Sequence, residues 1–176
     1  MSFPTKPAFV HYGDWSESTA KHPAVKWMEV HTHEFDTRTW ESKRYTSDFT
    51  YVAPDGQVHE GRDKALEAIK ATYGPLTAQQ HRPYFIVCTE TEEGYDMIGQ
   101  ATLYANLSGE PAAGETKVTD KDGKKWDLAI PGAFHFWLVK TEDGFLLKRT
   151  EMHADTGPLV MGLLKRGVIS PKHLGL

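Results

Sequence analysis

The sequence is poor in several features on which protein function can depend. Its single cysteine, Cys88, excludes an internal disulfide framework and favours a reducing compartment. Its 20 basic residues are outnumbered by 24 acidic ones, giving a net charge of −4, and they form no cluster. Nucleic-acid binding is therefore disfavoured, because phosphates are bound by a basic surface.

Long apolar runs are also missing. The densest run, 133–139, is interrupted by His135 and is far too short to span a bilayer. The first residues lack the charged start and apolar core of a signal peptide. These features predict a protein with no membrane partner that works in the cytoplasm.

Motifs for several kinds of chemistry are absent as well. The chain has no Gly-x-Gly-x-x-Gly turn, no phosphate-binding loop and no Gly-x-Ser-x-Gly elbow. His31 and His33 point to different sides of a helix, and none of the nine histidines has a spacing that predicts a metal site. Cys88 has apolar neighbours, which is typical of an inert core thiol.

Two long hairpins dominate the second half of the chain. The segment 80–107 is broken at Glu92-Glu93-Gly94, and 126–153 is broken at Glu142-Asp143-Gly144. Such breaks between apolar runs predict tight turns, because glycine tolerates a positive φ. The strands exceed the usual length of about five or six residues, and long strands twist and curl. A curled sheet needs other elements to fill its concave side.

The first half of the chain predicts helices that could fill that side. Apolar residues at steps of three and four indicate an amphipathic helix over 18–37. A second helix over 61–73 ends at Gly74-Pro75. The other expected parts of this single domain, 1–176, are an extended arm (1–17), a short helix (40–45), a small hairpin (48–52 and 57–60), a surface insert (108–125) and a C-terminal helix (156–167).

This arrangement resembles the nuclear transport factor 2-like superfamily, in its SnoaL-like branch of polyketide cyclase and scytalone dehydratase-like proteins. The segments that carry the resemblance are 45–51, Asp55-Gly56, 60–63 and the closing run 147–151. The insert and the C-terminal helix exceed the minimal fold of this family, as in some of its fungal members that act in secondary metabolism. The resemblance implies an α+β fold, a cone of about six antiparallel strands curved around N-terminal helices, with an extra C-terminal helix.

The resemblance also implies a function. Its members include isomerases, cyclases and dehydratases that act in an apolar cavity without a metal or an organic cofactor. They use a general base together with a hydrogen-bond donor to an enolate oxygen. Other members only bind ligands or proteins, so a non-catalytic module remains an alternative. The expected partner is a small, apolar, oxygenated molecule of polyketide or terpenoid type.

Three residues are candidates for proton transfer: His81, His135 and Glu151. Histidine suits this role because its unperturbed pKa is about 6.5. His81 opens the first long strand, where it could line the mouth of the cone. His135 has aromatic neighbours and could equally be a core residue, and Glu151 could equally pair with Arg149, two residues earlier in the strand.

Four further residues are predicted to bind the substrate. His31 lies on the apolar face of the first helix, and Trp137 lies in the same strand as His135. The hydroxyl groups of Tyr51 and Tyr104 are candidate donors to a carbonyl or enolate oxygen. Simple packing is the alternative for each tyrosine.

The registers of the two hairpins decide which candidates share a face. With Glu93-Gly94 as the turn, His81 shares a face with Phe85 and Tyr104, and a three-residue loop breaks this grouping. Both faces of the strands are rich in apolar residues. One face can enclose the cavity while the other lies between subunits, which predicts a homodimer.

The register of the second hairpin is undecided in the same way. With Asp143-Gly144 as the turn, Glu151 shares a face with Phe134 and Phe136, whereas His135 joins Thr150. Under this register Glu151 and His135 lie on opposite faces.

Overall fold

The predicted α+β fold is confirmed. The computed structural model describes residues 6–174, which form a large curved sheet, helices packed on it and an additional helix near the C-terminus. The helices are α1 (Glu17–Lys21), α2 (Pro23–Asp36), α3 (Arg62–Tyr73) and α4 (Gly157–Lys165), with 3-10 helices at Ser42–Arg44 and Pro171–Leu174. The strands are β1 (Phe9–Tyr12), β2 (Tyr45–Val52), β3 (Val58–Glu60), β4 (Leu76–Glu90), β5 (Gly94–Leu107), β6 (Val118–Thr119), β7 (Lys125–Trp126), β8 (Leu128–Thr141) and β9 (Gly144–Ala154).

The main sheet has seven strands in the order β1-β4-β5-β8-β9-β2-β3. Strand β1 lies in the segment predicted as an extended arm, and it pairs with β4 at one edge of the sheet. Residues 1–5 of that arm lie outside the described part of the chain. The neighbouring strands are antiparallel except for β2 and β9, which run parallel. This parallel pair places the first hairpin beside the last long strand.

The first predicted helix, 18–37, is two helices, α1 and α2. Pro23 begins α2 because proline lacks an amide hydrogen and is tolerated only in a helix's first turn. The Ser16 side chain caps α1, and the His22 side chain accepts a hydrogen bond from the Val25 amide at the start of α2. The chain therefore changes direction at 22–23, and α2 lies against β4.

A bulge in β4 changes the face on which His81 lies. The register of β4 and β5 shifts between Pro83 and Phe85, because Pro83 has no amide hydrogen to donate to the ladder. His81 and Ile86 consequently face the helices, whereas Phe85 contacts Tyr12 on the outer side. The predicted grouping of His81 with Phe85 is wrong for this reason.

The register of the second hairpin is also different from the predicted one. Thr141 pairs with Gly144, so the turn residues are Glu142 and Asp143. A further shift lies between Trp137 and Leu138, where Lys148 is an extra residue in β9. Together these changes put Glu151 directly opposite His135.

The core lies between the sheet and helices α2 and α3. Phe49, Tyr51, Met97 and Leu138 are among its most deeply buried side chains. Burying such side chains stabilises the fold by about 1.5–3 kcal/mol each. The helices therefore close the concave side of the sheet.

The surface insert and α4 are held by buried polar contacts. Trp126 is fully buried, and its indole N–H donates to Asp120 at 2.9 Å. Arg166, just after α4, pairs with Asp127 at 3.0 Å and donates to the Leu107 carbonyl at 3.0 Å. In residues 6–174, no helix is long and apolar enough to cross a membrane.

Candidate active site

A cavity of about 110 Å³ lies between the concave face of the sheet and helices α2 and α3. Its wall is mostly apolar, with Met28 and Phe35 from α2, Ile69 from α3, and Phe134 and Phe136 from β8. Three candidates from the sequence, His31, Tyr51 and His81, also line it. The wall thus combines an apolar surface with a few polar groups, as ligand sites commonly do.

His81 forms a pair with Asp36, the last residue of α2. Its Nδ1 lies 2.6 Å from Asp36 Oδ1, and its backbone amide donates to Asp36 Oδ2 at 2.8 Å. Only 9% of the His81 side chain and 12% of the Asp36 side chain are exposed. The carboxylate accepts from Nδ1–H, which assigns the free lone pair to Nε2, the nitrogen a general base needs.

The position of Asp36 explains why this pair is held so closely. A carboxylate in the last turn of a helix meets the negative end of the helix dipole, which is unfavourable. The two hydrogen bonds from His81 offset this cost, and they tie the end of α2 to β4. The Asp36–His81 contact therefore fixes both the orientation and the tautomer of the imidazole.

Tyr73, the last residue of α3, reaches the other nitrogen of His81. The Tyr73 hydroxyl lies 3.3 Å from His81 Nε2 and 3.5 Å from Met152 Sδ, so it has two acceptors within reach. Burial raises the pKa of Tyr73, with smaller contributions from Tyr51, Asp36 and Tyr45, so the phenol stays protonated. When it donates to Met152, the Nε2 lone pair is free to accept a proton from a ligand.

Three other polar atoms, which belong to residues of the wall, are buried without a hydrogen-bond partner among the described residues. They are Nδ1 of His31, the hydroxyl of Tyr51 and Oγ1 of Thr150. Tyr51 and Thr150 are register partners in the parallel pair of β2 and β9. Leaving such atoms unpaired costs about 1–3 kcal/mol each.

The electrostatics of these groups keep them neutral. Burial raises the pKa of Tyr51 to about 12, and the neighbouring Thr72 hydroxyl opposes this shift. Burial and, to a smaller extent, the charge of Arg44 lower the pKa of His31 to about 4, while Glu34 opposes both. His31 Nε2 lies 3.3 Å from the hydroxyl of Tyr45. Neutral His31 and Tyr51 can therefore form hydrogen bonds with a ligand without adding charge to the cavity.

The burial of His31 predicts a stability that falls in acid. The unfolded chain binds a proton at His31 below pH about 6.5, whereas the native chain binds it only near pH 4. The free energy of unfolding should therefore decrease between these values, by about 2 kcal/mol from pH 6.5 to 4.5 for this residue. Urea unfolding of the wild-type protein and of His31→Gln at both pH values measures it. All other titrating groups are common to the two proteins, so equal decreases in both would contradict the prediction.

His135 and Glu151 meet each other on the outer face of the sheet and do not line the cavity. His135 Nε2 lies 2.5 Å from Asp96 Oδ1, and its Nδ1 lies 3.8 Å from Glu151 Oε2. Glu151 also accepts two hydrogen bonds from Arg149, at 2.9 and 2.7 Å. This is the ion pair that the sequence offers as the alternative to a catalytic role for Glu151. The structure therefore separates His81 from the other two proton-transfer candidates.

Tyr104 and Trp137 also lie away from the cavity wall. Tyr104 packs against Trp126 of the insert, with ring centroids 6.2 Å apart. The ring of Trp137 lies 3.7 Å from that of His135 and carries Arg149 over its face at 5.5 Å. Both aromatic residues thus support packing on the outer side.

Sequence reasoning missed Asp36, Tyr73 and Thr150. Asp36 carried a usable signal, because an acidic residue at the C-terminal end of a helix needs a cationic or hydrogen-bonding partner. Tyr73 comes just before a predicted helix stop and looks like an ordinary boundary residue. Among the described residues, no group of three or more His, Cys, Asp or Glu side chains could hold a metal ion.

The fold is similar to those of solved bacterial proteins. No family model matches the chain, and no curated protein matches it in sequence. A protein provisionally assigned as a scytalone dehydratase from Novosphingobium aromaticivorans aligns with a TM-score of 0.58 and 12% identity, covering 75% of this chain and 81% of that one. A type 3 hexachlorocyclohexane dehydrochlorinase from Novosphingobium barchaimii aligns with a TM-score of 0.56 and 8% identity, covering 77% of this chain and 86% of that one.

A third similar structure belongs to another functional class. It is provisionally assigned as a calcium/calmodulin-dependent protein kinase II association domain from Xanthomonas campestris, with a TM-score of 0.55 and 13% identity, covering 82% of this chain and 96% of that one. The fungal relationship receives no support from these bacterial proteins. At these identities the comparisons establish the fold alone, a curved sheet packed on helices.

Proposed function

We propose that the protein is a cofactor-independent acid–base catalyst that removes a proton from carbon in a small, oxygenated substrate. The observation that carries this proposal is the Asp36–His81 pair, whose imidazole belongs to the wall of a mostly apolar cavity. The same wall holds the unpaired groups of Tyr51 and Thr150. A base and hydrogen-bond donors on residues that line one cavity favour catalysis over simple binding.

Each group has a role in the proposed reaction. His81 Nε2 takes a proton from a carbon next to a carbonyl, and Asp36 stabilises the imidazolium that forms. The electrons of the broken C–H bond move to the carbonyl oxygen, where Tyr51 and Thr150 donate hydrogen bonds to the enolate. Return of the proton to another carbon gives isomerisation, whereas loss of a leaving group gives elimination. Attack of the enolate on a second carbonyl of the substrate gives cyclisation.

The size of the cavity limits the substrate. A volume of about 110 Å³ is below the range of about 300–1,000 Å³ that suits drug-sized ligands. A dry cavity of about 150 Å³ holds one benzene molecule. The cavity is somewhat smaller than this, so the proposed substrate is at most a monocyclic, oxygenated metabolite of polyketide or terpenoid type, whose entry requires a small movement of the wall.

The names of two similar structures support this class of reaction. A dehydratase and a dehydrochlorinase both carry out eliminations, in which a proton and a leaving group depart. The third name, an association domain, favours the second candidate, a non-catalytic ligand-binding or protein-interaction module. The unpaired polar atoms of the cavity wall would then only orient a ligand.

Proton exchange distinguishes the two candidates without knowledge of the natural substrate. The protein is incubated in D₂O with six-membered cyclic ketones, beginning with cyclohex-3-enone, and deuterium uptake is followed by NMR. Transfer of the proton from C2 to C4 of this ketone also gives the conjugated cyclohex-2-enone, which absorbs in the ultraviolet. Exchange above the buffer rate supports the catalyst, whereas binding of the ketones without exchange supports the binding module.

The outer face of the sheet supports a second proposal, association of two copies of this chain. Val10, Val87, Ile98, His135 and Glu151 follow one another across β1, β4, β5, β8 and β9 in direct register. Of these, Val10 is 51% and Ile98 is 46% exposed. A two-fold axis near Ile98, at the middle of this row, would place the apolar end of one copy (Val10 and Val87) against the polar end of the other (His135 and Glu151). The same contact would then form twice, as in a symmetric dimer.

We expect Ile98→Glu to convert the dimer to a monomer, because it places a charge in the middle of the contact. Light scattering coupled to size exclusion should give twice the mass of one chain for the wild type and the mass of one chain for the variant. Val58→Glu is the matched control, since Val58 is 53% exposed on β3, at the other edge of the sheet. A wild-type monomer, or equal effects of the two substitutions, would overturn the proposal.

A further inference from the structure

A second concave site lies between the loop that follows α2 and helix α3. It has a volume of about 510 Å³, within the range of ligand sites. It is lined by Arg38, Trp40, Lys70 and Gln79, and it shares Phe35, Ile69 and Tyr73 with the catalytic cavity. We call it the α2–α3 groove. None of the roles proposed above uses it.

The groove has a cationic rim. Lys70 and Arg38 are both exposed, and none of the residues that line the groove is acidic. Nη2 of Arg38 donates to the carbonyls of Tyr73 and Leu76, while its Nε and Nη1 make no hydrogen bond among the described residues. An anionic group at the rim would therefore meet two cations that have free donors.

The backbone of Arg38 gives independent support for a role of its side chain. Its φ is +59°, the left-handed conformation in which a helix commonly ends on glycine. Such a conformation costs a non-glycine residue of the order of 1 kcal/mol. Arginine at this position bears that cost and places a guanidinium group at the groove.

Gln79, one of the residues that line the groove, has a buried acceptor. Gln79 is only 7% exposed, its Nε2 donates to the Phe35 carbonyl at 3.2 Å, and its Oε1 has no partner among the described residues. An unpaired buried acceptor favours a ligand that brings a hydroxyl or N–H donor. Gln79 is buried whereas Arg38 and Lys70 are exposed, so the ligand should carry a donor at its inner end and an anion at its outer end.

The side of the groove is aromatic. Phe35 and Trp40 are stacked, with ring centroids 5.9 Å apart and an interplanar angle of 19°. Lys70 Nζ lies 5.6 Å from the centre of the Trp40 ring. Flat aromatic ligands pack well on such a surface.

From these features we propose that the α2–α3 groove binds a hydroxylated aromatic carboxylic acid. The carboxylate lies between Lys70 and Arg38 at the rim, the ring lies on Trp40, and the hydroxyl donates to Gln79 Oε1. The site is separate from the proposed chemistry, although Phe35 and Tyr73 belong to both walls. Because the Tyr73 hydroxyl contacts His81, the groove lies one residue from the catalytic base.

Three small probes test the proposal by calorimetry and by NMR of the Trp40 and Gln79 side chains. They are 4-hydroxybenzoate, benzoate and 4-hydroxybenzamide. We expect 4-hydroxybenzoate to bind most tightly and benzoate about tenfold more weakly, because benzoate leaves Gln79 Oε1 unpaired. The neutral 4-hydroxybenzamide should bind about three- to tenfold more weakly, because it loses the charge contacts.

Matched variants locate the binding. Lys70→Gln and Arg38→Gly should each weaken 4-hydroxybenzoate about three- to tenfold and leave 4-hydroxybenzamide unchanged. The control is Lys64→Gln, an exposed lysine earlier in α3 that does not line the groove. Equal affinity for the acid and the amide, equal effects of the Lys64 and Lys70 substitutions, or no binding of any probe would each overturn the proposal.

The experiment is independent of the catalytic proposal. Binding in the groove is measured on His81→Asn as well as on the wild type, and we expect the same affinity for 4-hydroxybenzoate. Loss of proton exchange with intact probe binding would leave the groove proposal standing. Normal proton exchange without binding of the probe would overturn the groove proposal and leave the catalytic proposal standing.

Discussion

Replacing His81 with asparagine is expected to reduce proton exchange by about 10²- to 10⁴-fold, the contribution of a positioned general base. Asparagine keeps much of the size of the side chain and can still donate to Asp36, but it has no basic nitrogen. His81 is only 9% exposed and lies between Phe35 and Phe134. Because asparagine occupies most of the same space, the substitution should not open a large void between these two rings. The expected loss lies in kcat, because the base acts after binding.

The chain offers a matched control for this substitution. His135 also pairs with an aspartate, Asp96, at 2.5 Å, but on the outer face of the sheet. His135→Asn should change the exchange rate by less than about twofold, because a general base must lie within hydrogen-bond distance of the proton that it removes. The same assay tests the prediction from sequence that His135 and Glu151 act directly. Loss of exchange in His135→Asn with normal exchange in His81→Asn would overturn the assignment to the cavity.

Replacing Asp36 with asparagine is expected to reduce exchange by about 10²- to 10⁴-fold as well. The carboxylate can only accept a hydrogen bond, so it holds the proton of His81 on Nδ1. An asparagine amide can donate to Nδ1 instead, which moves the proton to Nε2 and removes the basic lone pair from the cavity. The analogous substitution in a serine-protease triad costs about 10⁴-fold for this reason. The substitution also removes the charge that stabilises the imidazolium.

A combined variant separates this positioning role from a structural one. If Asp36 acts through His81, Asp36→Asn in a His81→Asn background should cause no further loss of exchange. Thermal unfolding of Asp36→Asn reports the structural contribution separately, because Asp36 also accepts from the His81 amide at 2.8 Å. A full additional loss in the double variant would contradict the proposed coupling.

The outcome for the two hairpins shows how far strand patterns can be used. Long alternating strands with glycine turns correctly predicted a curved sheet around helices, because burying one face of each strand requires that pattern. The same pattern could not give the registers. One extra residue at the Pro83 bulge and another near Lys148 each reverse the face of the residues that follow.

Individual residues illustrate the same limit at the site. His81 is a candidate because its residue type suits proton transfer and its strand end suits a cavity mouth. Asp36 is 45 positions away in the chain, so the pair exists only after α2 lies on β4. His135 and Glu151 were equally good candidates by residue type, and only the register sends them to the outer face.

The sequence by itself determined the class of fold, because amphipathic periodicity, turn residues and helix stops are local properties. It also determined the chemical repertoire, rich in histidine and poor in cysteine and basic clusters. Only the tertiary structure decided which polar groups meet. That decision depends on bulges and on helix-to-strand contacts between distant segments, whose energies are set by packing rather than by local preference. His81 consequently faces Asp36 and the cavity, while the other two candidates for proton transfer face each other outside it.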